Sequence, residues 1–186
     1  MRVDPIPTLK DVNAIRKLLH DNPRDLLLFN LGVGSGIRCG DLLKLKISDV
    51  INCKINDKIV ITESKTKKIN YILITKTIYK SIENYLNSLE NINPDHYLFK
   101  SRKGRNYPIS IFYVGLLVKK WASEINLKGN FGAHSLRKCW ATVMFKEHHV
   151  PIQLISRRLS HSSESITRRY VGIMESDIEN ILKTDI

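Results

Sequence analysis

Apolar residues recur at helical spacing from the start of the chain. Thr8 offers a capping hydroxyl with Asp11 three positions on, and Leu9, Val12, Ile15, Leu18 and Leu19 follow along one face. Asn22-Pro23 breaks that pattern. A second helix is predicted over 25–33, ending where Gly32, Gly34 and Gly36 interrupt it, and a short one over 38–45. The period then changes to two: 58–63 and 69–74 read as strands joined by the polar run Ser64-Lys65-Thr66-Lys67-Lys68, a hairpin. Tyr97-Leu98-Phe99 predicts a third, short strand. Helical spacing returns over 77–89, 110–124, 135–146, 151–159 and 163–169, and again over 175–182, where Ile173, Ile178, Ile181 and Leu182 form the apolar face. No repeat, linker or low-complexity segment divides the chain. The pattern predicts one mainly α-helical domain carrying a small antiparallel β-sheet of three strands.

Length and composition narrow the class. At 186 residues, 42% hydrophobic and 26% charged, the chain is long enough for one substantial core and too apolar to be disordered. No run approaches the ~20 apolar residues that cross a bilayer. The opening Met1-Arg2-Val3-Asp4-Pro5 holds no apolar signal region, so a cytoplasmic protein without membrane partners is expected. Cys39, Cys53 and Cys139 form no CxxC pair and read as reduced thiols of the core. His148-His149 with Cys139 matches no metal-ligand spacing, and no metal or cofactor is expected.

Charge adds a partner. Lys and Arg number 30 against 18 Asp and Glu, a net charge of +12, which on one domain points to a polyanion, most often nucleic acid. The basic residues cluster at 65–68, 100–105, Arg137/Lys138, Arg157/Arg158 and Arg168/Arg169, several of them at turns and helix starts where phosphate is readily met.

Four segments each offer a residue suited to attack on a phosphodiester. His134 and Arg137 stand three apart on one face of a helix start and can address one anion. Arg38 follows the glycine-rich break, Lys65 sits in the hairpin turn, and His161 and Tyr170 lie on a segment rich in Ser, Thr and Arg.

Together these segments resemble the tyrosine recombinase (phage integrase) family. Ser35-Gly36-Ile37-Arg38-Cys39-Gly40-Asp41-Leu42-Leu43-Lys44-Leu45 is similar to its first box, Gly-x-Arg-x-x-Glu/Asp-Leu-x-x-Leu. Glu63-Ser64-Lys65-Thr66-Lys67 resembles its lysine-bearing hairpin. His134-Ser135-Leu136-Arg137-Lys138 with Ala141-Thr142 resembles its second box. Leu159-Ser160-His161-Ser162-Ser163 with Thr167-Arg168-Arg169-Tyr170 resembles the closing Leu-Gly-His-Ser-Ser and Thr-x-x-Tyr. The likeness spans about residues 8–182, all motifs falling in order. Two positions depart from it: Ser160 stands for the usual Gly, and Lys138 for a common His.

The resemblance implies the fold of an integrase catalytic domain over residues 1–186, without the additional N-terminal DNA-clamping domain of most members, either as a natural single-domain enzyme or as part of a longer protein. It implies site-specific breakage and rejoining of double-stranded DNA, with Tyr170 as nucleophile, Arg38 and Arg137 on the phosphate, His134 as base or phosphate donor, Lys65 as acid to the leaving oxygen and His161 as a further phosphate donor. Asp41 would brace the site. Lys67, Lys68, Arg102, Lys103, Arg105, Lys138, Arg168 and Arg169 are expected to meet DNA. A homo-oligomer, a tetramer, is expected on DNA, with a monomer in its absence. A type IB topoisomerase, or a DNA-binding module that retains the fold without catalysis, would share the same residues.

Overall fold

The computed structural model describes residues 3–173 and residue 183. Eight α-helices and one hairpin are seen among them, in the order α1 (Leu9–Leu18), α2 (Pro23–Ser35), α3 (Cys39–Leu42), β1 (Lys58–Thr62), β2 (Ile69–Leu73), α4 (Lys76–Asn87), α5 (Ile111–Glu124), α6 (Ala133–Lys146), α7 (Ile152–Arg158) and α8 (Glu164–Val171), with a single 3-10 turn at Ile47–Asp49. The expected helix over 175–182 lies outside the described residues. No described helix is long and apolar enough to cross a membrane.

Local chemistry sets the boundaries. Thr8 accepts from the Asp11 amide at 3.2 Å and donates its hydroxyl to the Asp11 carboxylate at 2.5 Å, closing the first turn of α1. Helix α2 begins two residues earlier than the apolar spacing suggests, because Pro23 is tolerated at N1 and Asn22 caps it. It also runs through Gly32 and Gly34. Gly32 is no breaker there: a Cβ would lie 2.7 Å from Leu136 Cδ1 and 2.9 Å from Leu136 Cβ, so its hydrogen admits α6 to close contact. The stop falls at Gly36, whose φ of 67° is left-handed.

The hairpin pairs Ile59 with Ile72 and Ile61 with Asn70, all four facing inward, while Val60, Ile69 and Tyr71 face out. The expected third strand does not form. Tyr97 makes only an isolated bridge to Lys46, and a second bridge, Lys100 to Pro108, meets a residue without the N–H needed to extend it. Leu98 and Phe99 are fully buried as part of an irregular segment.

Two apolar clusters result. The larger is built around α2, whose Leu27, Leu28, Phe29 and Leu31 are inaccessible to solvent, with Trp121 of α5 edge-on to Phe29 at 5.8 Å. The smaller joins Ala141 of α6 to Ile155, Leu159 and Val171 of α7 and α8, with Trp140, Met144 and Tyr170 packed against them. Helix α6 is therefore sandwiched: Leu136, Cys139 and Val143 belong to the first cluster and Ala141 to the second. Burial pushes the thiols of Cys39 and Cys139 up to about 12, so both stay protonated and unreactive.

Gly32→Ala puts this contact to the test. Alanine gains about 1 kcal/mol of helix propensity, yet its methyl would overlap Leu136 Cβ, which no rotamer change can move. A net loss of about 1–2 kcal/mol is expected from urea unfolding; a gain in stability would remove the close-packing explanation.

Candidate active site

The segments that carry charged and nucleophilic residues converge at one end of α6. A cavity of about 360 Å³ is lined by Arg38, Lys65, His134, Arg137, His161 and Tyr170, with Thr66, Ser160, Ser162 and Ile166 completing its wall. Each arrives by a separate route. Arg38 is the N-cap of α3, just after the left-handed Gly36. Lys65 is exposed in the hairpin turn. His134 and Arg137 occupy the first turn of α6, which starts earlier than predicted, at Ala133. Tyr170 lies in the last turn of α8, one residue before its end.

The tyrosine is held by its neighbours. Its hydroxyl hydrogen-bonds His134 Nε2, its ring meets the His134 ring edge-on at 5.3 Å and the His161 ring at 4.8 Å, and the Lys138 ammonium lies 5.2 Å from its centroid. Packing around the His134 ring, and then the charges of Arg137, Lys138, Arg38 and Lys65, push its pKa down to about 4. His161 is also held at about 4, by packing and then by Arg137, Arg38 and His134. Near neutral pH both rings are uncharged, so His134 Nε2 can accept the tyrosine proton. The buried Thr167 hydroxyl lies 2.8 Å from His161 Nδ1, leaving the other ring nitrogen for the cavity.

The arginines are fixed from behind. Arg137 is 1% exposed and donates to the carbonyls of Gly36 (2.8 Å) and Leu159. Burial, then repulsion from Arg38, lower its pKa to about 10, which leaves it charged at neutral pH. Arg38 pairs with Glu63 at 2.7 Å, and Arg137 approaches the other oxygen of the same carboxylate at 3.8 Å. Asp41 points elsewhere: its Oδ1 accepts from the Ser64 amide at 3.0 Å and from the Ser64 hydroxyl, tying α3 to the residue before Lys65.

The basic residues expected on DNA divide. Lys67 and Lys68 are exposed beside Lys65, and Arg168 and Arg169 on α8. Arg102 and Lys103 line a different cavity, with Arg24 and Tyr113, and Arg105 is exposed on the same loop. Lys138 departs from the expectation: it is 5% exposed and donates to the Val3 carbonyl at 2.8 Å, so its ammonium serves the interior. Among the described residues no group of three or more His, Cys, Asp or Glu could hold a metal.

Two residues that the sequence places only in a motif and in a basic pair act as structural anchors. Glu63 is fully buried, and its signal was the alternation of β1, which carries an inward position from Ile59 and Ile61 to Glu63. Arg158 belongs to the Arg157/Arg158 basic cluster of the sequence, where phosphate is the expected partner. It instead donates to the Ser35 carbonyl at 3.1 and 2.5 Å, to the Tyr71 carbonyl at 2.7 Å and to Asn70 Oδ1 at 2.5 Å, clamping α7 to the hairpin and α2. Ser160, where the resemblance calls for glycine, has a left-handed φ of 49°.

Known proteins share both the sequence and the fold. Residues 8–176 match the profile of the Phage integrase family. The chain is 37% identical over 174 residues to the probable integrase/recombinase YoeC of Bacillus subtilis (strain 168), covering 93% of this chain and 91% of that protein. It is 34% identical over 181 residues to the tyrosine recombinase XerA of Pyrococcus horikoshii, covering 96% of this chain but only 61% of that one. Among solved structures, XerA recombinase superposes with a TM-score of 0.75 at 19% identity, over 100% of this chain and 68% of the other. XerH bound to its difH substrate gives 0.69 at 22% identity, over 98% and 56%. With the profile matched over most of its length and the same mainly helical fold, the chain belongs to the phage integrase family of tyrosine recombinases.

Proposed function

We propose that this protein cuts and rejoins duplex DNA at specific sites through a 3′-phosphotyrosyl intermediate formed on Tyr170. The observation that carries this reading is the meeting of six phosphate-handling side chains on one cavity, with the tyrosine hydroxyl bonded to a neutral histidine. Arg38 and Arg137 take the non-bridging oxygens, where charge accumulates as phosphorus is attacked. The Tyr170 oxygen bonds to phosphorus as its proton passes to His134. The bond to the 5′-oxygen breaks, and Lys65 supplies the proton that makes this a hydroxyl. His161 donates to the phosphate. Rejoining reverses each transfer and uses no nucleotide energy, because the phosphotyrosyl bond retains that of the phosphodiester.

Residues 1–186 act as the catalytic domain in this reading, in the cytoplasm. Exchange between two duplexes requires four cuts, and each chain offers one Tyr170, so the working assembly on DNA is a tetramer of this chain. Lys67, Lys68, Arg102, Lys103, Arg105, Arg168 and Arg169 supply phosphate contacts around the site.

A duplex with a nick near the cut site traps the covalent complex, because the short 5′ piece diffuses away. Tyr170→Phe is expected to bind this DNA as the unaltered protein does and to form no covalent band. Arg38→Ala and Arg137→Ala keep the nucleophile and should slow trapping by an amount on the order of 10²–10³ or more. A covalent band from the Phe variant at the unaltered rate would disprove the assignment.

The histidines also set a pH dependence of stability. Both are held at about 4 in the folded protein, against an ordinary value of 6.5. As pH falls below about 6.5 the unfolded chain takes up protons that the folded one refuses, so stability declines until about pH 4 and levels off there. The urea midpoint should therefore be lower at pH 5 than at pH 7, and the difference should shrink when His134 and His161 are both replaced by Gln. An unchanged difference in that double variant would show that these rings are not the source.

A further inference from the structure

Glu63 lies immediately behind the candidate site without lining it. Its carboxylate is inaccessible to solvent, and three of its neighbours are, or adjoin, different catalytic side chains. One oxygen takes Arg38 Nη1 at 2.7 Å, and the other lies 3.8 Å from Arg137 Nη1 and 3.3 Å from the Asn70 amide nitrogen. The Thr66 hydroxyl, on the residue after Lys65, donates to it at 2.5 Å. Its own backbone closes the same turn, its carbonyl accepting from the Lys67 amide at 2.9 Å and its N–H donating to the Lys68 carbonyl at 3.0 Å. We propose that Glu63 is a positioning residue, which holds the two phosphate-binding guanidiniums and the lysine turn as one rigid unit. This rests on the roles given to Arg38, Arg137 and Lys65 above.

The physical case is one of charge and geometry. Two guanidiniums that both face one cavity repel each other while no phosphate lies between them. A carboxylate behind them offsets this repulsion, pairing directly with Arg38 and lying close to Arg137, so both guanidiniums keep one orientation before DNA arrives. Desolvation of the carboxylate is outweighed by the hydrogen bonds from Thr66 and Arg38 and by the charges of Arg38 and Arg137, so Glu63 stays ionised with its pKa below the ordinary carboxylate value. The clasp on Thr66 fixes the turn on one side of Lys65, as the Asp41 contact to Ser64 does on the other.

The role predicts a pattern that simple loss of fold would not give. Single-turnover trapping on a nicked duplex is measured with an ordinary 5′-oxygen leaving group and with a 5′-thiolate, which needs no protonation. Glu63→Gln is expected to slow both substrates on the order of 10²-fold while DNA binding in a gel shift is retained. In an Arg38→Ala background the same substitution should cost several-fold less than in the unaltered protein, because one of the groups it positions is gone. Thr66→Val, which cuts only the link to the turn, should slow the ordinary substrate and be restored by the thiolate. Glu63→Asp keeps the charge but withdraws it by one methylene, and covers the case of a Gln variant that does not fold; it is expected to be slowed about tenfold. Full rates in Glu63→Gln or Glu63→Asp, or an equal cost of Glu63→Gln with and without Arg38, overturn the positioning role while leaving Tyr170 as nucleophile. Failure of the unaltered protein to form any phosphotyrosyl bond overturns the reaction itself, and the positioning role with it.

Discussion

Two arginines brought to one cavity repel each other, and the structure answers this with a single buried carboxylate. Glu63 can serve both Arg38 and Arg137 only because the hairpin places it behind them, and the hairpin is held in register by Ile59, Ile61 and Ile72 facing the core. A slip of one residue would turn those isoleucines to solvent and carry Glu63 out with them. The hydrophobic pattern of five-residue strands thus sets the electrostatics of the site, and the remaining contacts extend it: Asn70 reaches both Glu63 and Arg158, and Arg158 holds α7, which leads to His161.

Helix positions and the hairpin were legible in the sequence because their apolar spacing is regular and their caps are ordinary. Where the reading failed, packing had overruled a local rule. Glycines in α2 normally signal a break, but Gly32 fits against Leu136, a partner more than a hundred residues away. The third strand was suggested by three apolar residues in a row, and the missing N–H of Pro108 is among the reasons pairing stops at isolated bridges. The six candidate catalytic residues were found through motif order, and the structure collects them on one cavity. The anchoring roles of Glu63 and Arg158 stayed hidden because their significance lies in partners contributed by other segments, which no local spacing encodes.

Net charge proved a coarser guide than charge placement. The excess of +12 includes Lys138 and Arg158, whose side chains are spent on backbone carbonyls and Asn70. These cations belong to the framework. The exposed ones, at 65–68, 102–105 and along α8, are those whose counterions DNA could displace. Basic pairs in a sequence therefore mix two populations, and only burial separates them.

The division of the interior into two clusters bears on how the protein would fail. Tyr170 packs on the small cluster of α7, α8 and one flank of α6, where four residues are buried, whereas Arg38 stands between Ile37 and Cys39 of the large one. Regions with few enclosed apolar groups open at lower free energy than the molecule as a whole. Warming should therefore detach the nucleophile from its arginines while α2 and its neighbours remain folded. Inactivation and melting are then separate events in this molecule, with activity the first to go on warming and the last to return on cooling.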